Sequence, residues 1–105
     1  MHKERAIFLD RDGVINKMYY HLDTGIIDTP LNSSQVEFIP HIFDFLRNAR
    51  KMGYLLILVS NQPGIGLKKL SVKNFSAIKK KIVNTLNGYG ISLDGEYYCF
   101  HHPYA

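Results

Sequence analysis

The sequence holds a single cysteine, Cys99, so no disulfide can form within the chain. It has no apolar run approaching the ~18 residues that a membrane span requires. The N-terminal stretch MHKERAIFLDRDG is positively charged, but acidic residues interrupt it before any continuous apolar segment develops. That pattern argues against a secretory signal and makes the cytoplasm the expected location. There is no internal repeat and no low-complexity tract. Acidic residues are outnumbered, nine against thirteen Lys and Arg, for a net charge of +4. Five of the basic residues are Lys68, Lys69, Lys79, Lys80 and Lys81. The excess suits an anionic ligand, and it equally suits a solvated helix face.

What is present fits one small globular domain: 105 residues, 46% hydrophobic and 21% charged. Residues 6–10 read as a short buried strand. Residues 13–37 read as irregular, with Gly25, Pro30 and an Asn-Ser-Ser cluster, and a loop that long is expected to be functional and mobile. A helix is expected after Pro40, on the apolar repeat Ile39, Ile42, Phe43, Leu46, Ala49 and Met52, with Gly53 as its stop. YLLILVS, residues 54–60, is a continuous apolar strand. NQPGIG follows as a loop. A second helix is capped by Ser71 and carries a buried stripe of Val72, Phe75, Ile78, Ile82 and Leu86. EYYCF, residues 96–100, is a third strand. Strands alternating with helices predict an α/β fold, a Rossmann-like three-layer parallel sheet with flanking helices. In such sheets ligands bind beyond the carboxyl ends of the strands. Asp10 and Asp12, Ser60-Asn61-Gln62, and Cys99 with His101 all fall at those ends.

The chemistry of these clusters is specific. A carboxylate fixed at a strand end, as Asp10 is, can attack phosphorus and form an acyl phosphate. Asp12, two residues on, can protonate a leaving oxygen and later deprotonate water. Paired carboxylates also attract Mg²⁺, a hard cation that shares its ligands with phosphates. Asp-Arg-Asp-Gly has turn chemistry as well, so the spacing by itself leaves a simple turn open. Ser60 and the backbone N–H groups of the following loop can bind phosphoryl oxygens. A polar loop shaped by Pro63, Gly64 and Gly66 is the plain alternative.

FLDRDGVIN resembles the first motif of the haloacid dehalogenase superfamily of phosphatases, and LILVSNQPGIG resembles its second. YYCFHHP is similar to the start of the zinc loop in the heptose bisphosphate and histidinol phosphatase branch. The resemblance covers residues 5 to 105. It implies Asp10 as nucleophile and Asp12 as general acid/base, both Mg²⁺ ligands, with Asp12 acting through its backbone carbonyl. It further implies Ser60 as phosphoryl binder and Asn16, Asn61 and Gln62 as substrate contacts. Residues 17–37 become the strip that meets the distal part of the substrate, with Tyr19, Tyr20 and His21 nearest. Cys99 and His101 match two zinc ligands, whereas a structural zinc normally takes four.

The expected activity is Mg²⁺-dependent hydrolysis of a phosphate monoester of a small sugar bisphosphate through an aspartyl-phosphate. A non-catalytic phosphate- or metal-binding fragment is one alternative, and a nucleic-acid 3′-phosphatase another. Members of the resembled family continue past the point matching Ala105, to further zinc ligands, a lysine and more aspartates. On that ground the domain is expected to lack its C-terminal part, to bind zinc weakly, to turn over little by itself and to self-associate through an incomplete sheet.

Overall fold

The computed structural model describes residues 4–66 and 69–100. The chain opens with strand β1 (Arg5–Asp10), followed by a hairpin of β2 (Tyr19–His21) and β3 (Ile26–Asp28). A 3₁₀ turn (Ser33–Gln35) leads to helix α1 (Ile42–Lys51) and strand β4 (Tyr54–Asn61). A single helical turn, α2 (Pro63–Gly66), precedes helix α3 (Val72–Gly88) and strand β5 (Gly95–Cys99).

β1, β4 and β5 form a parallel sheet in the order β1-β4-β5. β1 runs beside β4 from Arg5↔Tyr54 to Asp10↔Val59, and β4 beside β5 from Ile57↔Gly95 to Asn61↔Cys99. Alternation along each strand gives the sheet two unlike faces. Leu9, Leu56 and Leu58 are buried on one face, in a core with Ile42, Leu46 and Ala49 of α1 and Phe75, Ile78, Ile82 and Leu86 of α3. Two crossovers of the same hand, each moving one strand along the sheet, bring both helices to that face, so the described residues form two layers rather than the expected three. The other face leaves Phe8 69% and Tyr97 63% exposed, with Val59 between them in the sheet.

Local chemistry accounts for the ends of the elements. Gly53 stands at φ +88°, a left-handed conformation that side chains resist, and turns the chain from α1 into β4. The Ser71 hydroxyl accepts the Asn74 N–H at 3.0 Å and caps α3.

Several expectations need correction. Residues 13–37, read as irregular, contain the β2–β3 hairpin and the 3₁₀ turn, whose elements are three residues each and too short to show a periodic pattern. NQPGIG is not a plain loop: Asn61 completes β4 and Pro63–Gly66 forms a helical turn. Val72 is 67% exposed and Met52 is also exposed, because each lies at the end of its helix where the apolar stripe runs past the sheet. Two lysines of α3 are engaged with their own fold: Lys79 lies over the Tyr98 ring and Lys81 donates to the Ser33 carbonyl. Lys68 and His101 lie outside the described residues.

Candidate functional site

The site begins where β1 stops. Arg11 is the first residue beyond the strand, and its carbonyl accepts the N–H groups of Val14, Ile15 and Asn16 at 3.3, 2.8 and 3.1 Å. Gly13, at φ +87°, permits this tight reversal and donates its N–H to the Asn16 carbonyl at 2.7 Å. The turn brings Asn16 back beside Asp12.

Asp12 is held from three directions. Arg11 donates to Oδ1 from Nε at 3.2 Å and from Nη2 at 3.0 Å. Asn16 Nδ2 donates to the same oxygen at 3.0 Å, and Gln62 Nε2 donates to Oδ2 at 2.7 Å. Gln62 Nε2 also donates to Ser60 Oγ at 2.8 Å. That bond occupies a lone pair of the hydroxyl and leaves its proton free to donate. Asp10, at the end of β1, is exposed, and among the described residues its carboxylate makes no hydrogen bond. The two acids thus differ in kind: one carboxylate is fixed by charge-assisted bonds and the other is open to solvent.

The β2–β3 hairpin folds over this corner. Thr29, just past β3, accepts a bond from Arg11 Nη2 at its hydroxyl (2.9 Å), and its carbonyl lies 2.9 Å from His21 Nε2. A carbonyl only accepts, so the His21 ring donates from Nε2. Between the hairpin and the segment after β4 lies a cavity of about 620 Å³, whose walls include Asp12, Met18, His21, Thr29, Asn61 and Lys69.

The residues singled out in the sequence fall into groups. Asp12, His21 and Asn61 line the cavity, whereas Asp10, the last residue of β1, and Ser60, the last but one of β4, are not among its walls. Asn16 and Gln62, expected to contact substrate, are fully buried, with their amides turned onto Asp12. Tyr19 and Tyr20 are exposed on β2 and do not line the cavity. The Tyr19 ring packs edge-on against His21, with centroids 4.9 Å apart. Cys99 ends β5 exposed, with its carbonyl accepting the Gln62 N–H at 2.6 Å. Its expected zinc partner His101 lies outside the described residues. Among the described residues no group of three or more His, Cys, Asp or Glu could hold a metal ion, so the zinc expectation gains no support.

Sequence reasoning missed Arg11 and Thr29. Arg11 looked like a charge between two acids at a surface turn, yet it is 1% exposed. A cation flanked by carboxylates directly after a buried strand is the available signal. Thr29 left none.

Comparison with known proteins agrees with this fold. No protein-family model matches the chain. It is 40% identical over 98 residues to a D-glycero-beta-D-manno-heptose-1,7-bisphosphate 7-phosphatase of Salmonella typhi, covering 93% of this chain and 48% of the relative. It is 36% identical over 104 residues to the Helicobacter pylori protein of the same name, covering 98% and 56%. In structure it resembles the D,D-heptose 1.7-bisphosphate phosphatase of B. bronchiseptica, solved with magnesium and phosphate. The TM-score is 0.76 at 23% identity, over 94% of this chain and 51% of that one. The chain spans about half the length of the curated relatives it matches. It is a relative of the heptose bisphosphate phosphatases and its fold is haloacid dehalogenase-like.

Proposed function

We propose that this chain, as part of a single haloacid dehalogenase-like domain, serves the hydrolysis of a phosphate monoester on a small phosphorylated sugar of the heptose bisphosphate kind. The observation that carries the reading is the pair of unlike carboxylates at and just past the end of β1: Asp10 is open to solvent, while Asp12 is clamped, lines the cavity and is tied to the Ser60 hydroxyl through Gln62.

In this reading Asp10 attacks phosphorus. The O–P bond to the sugar breaks as the new O–P bond forms, and the sugar oxygen leaves with a proton from Asp12, which enters this step protonated and ends it as the Arg11-paired carboxylate. Water, deprotonated by Asp12, then attacks the aspartyl phosphate, releases inorganic phosphate and restores Asp10. Ser60 donates to a phosphoryl oxygen, an interaction worth more in the transition state as charge shifts. Asn61 and His21 face the sugar, and Tyr19 and Tyr20 serve at the mouth through the hairpin that carries them.

The donor set suits magnesium. Asp10 offers a free carboxylate and Asp12 a backbone carbonyl, and Mg²⁺ commonly takes one or two carboxylates while keeping waters and phosphate oxygens as its other ligands. When bound, the metal offsets repulsion between an anionic nucleophile and an anionic phosphate.

The test is release of inorganic phosphate from heptose 1,7-bisphosphate with Mg²⁺ and with a chelator. In the whole protein that carries this chain, magnesium-dependent release that Asp10→Asn eliminates is the expected result, and no release there from any sugar phosphate defeats the reading. Beryllium fluoride, a mimic of the aspartyl phosphate, tests the nucleophile without turnover. With Mg²⁺ it should shift the Asp10 and Ser60 amide resonances in the native protein and leave Asp10→Asn unaffected.

A further inference from the structure

Arg11 is the most deeply buried charge among the described residues, and neither its burial nor its bonds are needed to form a turn. Removing a guanidinium from water costs several kcal/mol unless its donors are met. Here three contacts go to the Asp12 carboxylate and one to the Thr29 hydroxyl, while Nη1 is buried and, among the described residues, has no partner. A fold that needed only a neutral turn would not keep so costly a group, so the position calls for a role.

Its geometry supplies one. Nη2 touches Asp12 and Thr29 at once, at 3.0 and 2.9 Å. Thr29 in turn bonds His21 through its carbonyl, and Thr29 and His21 both line the cavity. A rigid, planar fork therefore joins the acid to the wall that would receive the sugar. Lysine, a single point of charge on a flexible stem, cannot hold two partners in that fixed relation.

We propose that Arg11 is a positioning residue, fixing the Asp12 carboxylate for proton transfer and fastening the β2–β3 hairpin to it through Thr29. The first half rests on the phosphatase reading, and the second stands without it. Arg11 touches no reacting atom. It acts through Asp12, so its loss should be felt most where the leaving group needs a proton. A sugar alkoxide needs one, whereas p-nitrophenolate leaves without it.

Two measurements on the whole protein test this. The first is millisecond hydrogen exchange in the wild type, Arg11→Lys and Thr29→Val. In both variants the hairpin amides of Tyr19–His21 and Ile26–Asp28 should exchange roughly five- to tenfold faster, as a local opening does, with a smaller change in Tyr54–Asn61. Hairpin exchange that stays at the wild-type rate in either variant overturns the fastening role. Thr29→Val keeps the buried charge pair intact, so it remains informative if Arg11→Lys folds poorly.

The second is the ratio of kcat/KM on a sugar phosphate to that on p-nitrophenyl phosphate. Arg11→Lys should lower this ratio about tenfold, part of the ~10²–10⁴ that a positioned acid contributes. An equal loss on both substrates marks a merely structural residue and overturns the positioning role. If the wild type hydrolyses neither substrate, the phosphatase reading has failed together with the proton-transfer half, and the exchange result alone decides the fastening half.

Discussion

Asp10 ends β1 and Ser60 is the last residue but one of the neighbouring β4, yet their substitutions should have very different consequences. Asp10→Asn keeps the shape of the side chain and removes its ability to form an acyl phosphate, so turnover should vanish while the melting temperature holds. Ser60→Ala removes one hydrogen bond to a charged group, worth about 1.5–3 kcal/mol, and should leave measurable activity. Rates and melting curves of both variants check this, and wild-type activity in Asp10→Asn would end the covalent mechanism. Two other residues report on pH. Arg50, by hydrogen bond and charge, and the Leu56 N–H hold the Asp94 carboxyl below its usual range. A depressed carboxyl contributes stability that is complete above the unfolded value near 4 and is lost as pH falls through the folded value. Asp94→Asn should therefore flatten the fall in stability below about pH 4. Tyr98 is the opposite case: burial, then its hydrogen bond to Glu96, raise its phenol well above the usual value. That contribution is intact below pH ~10 and fades as pH rises further, because the unfolded phenol ionises first. An absorbance titration should show one tyrosine that ionises only as the protein unfolds. Ionisation of every tyrosine in the folded protein near pH 10 would contradict this.

At the scale of elements, legibility followed length. β4 is eight residues of almost unbroken apolar sequence, and the repeat Phe75, Ile78, Ile82 and Leu86 of α3 spans three turns, so both could be read with their buried residues. The hairpin could not, since three-residue strands carry no period and their pairing depends on contacts made after folding. The corner of the site was half legible. Asp10, Asp12 and Ser60 follow from position at strand ends, but the inward turn of Asn16 and Gln62 onto Asp12 arises from burial created by distant segments. Arg11 and Thr29 meet across 18 residues with no local pattern to announce it. The corrected stripe of α3 is itself testable. Leu58 is wholly buried and Val72 is exposed. Leu58→Ala should cost about 2–5 kcal/mol, and Val72→Ala should stay within about 0.5 kcal/mol. Denaturant titration of both variants decides, and a Val72 cost close to that of Leu58 would restore the expected stripe.

At the scale of the molecule, the sheet is finished on one side only. Parallel sheets occur almost always with both faces covered. Here α1 and α3 cover one face, while Phe8, Val59 and Tyr97 stand exposed on the other, with Asp10 and Cys99 on the same side. β1 lies at the edge of the sheet, so among the described residues one of its sides pairs with no strand. An apolar face next to a free strand edge is the kind of surface that finds a partner. For a solution of these 105 residues the partner put to the test is a second copy. The protein should therefore sediment as a concentration-dependent mixture, with weight-average mass rising as concentration rises. Phe8→Lys and Tyr97→Lys place charge on that face without touching the core, so each should shift the mixture toward the monomer and leave denaturant stability within about 0.5 kcal/mol. A single monomeric species at all concentrations, or association that both lysine variants leave unchanged, would show that this face is not where copies meet.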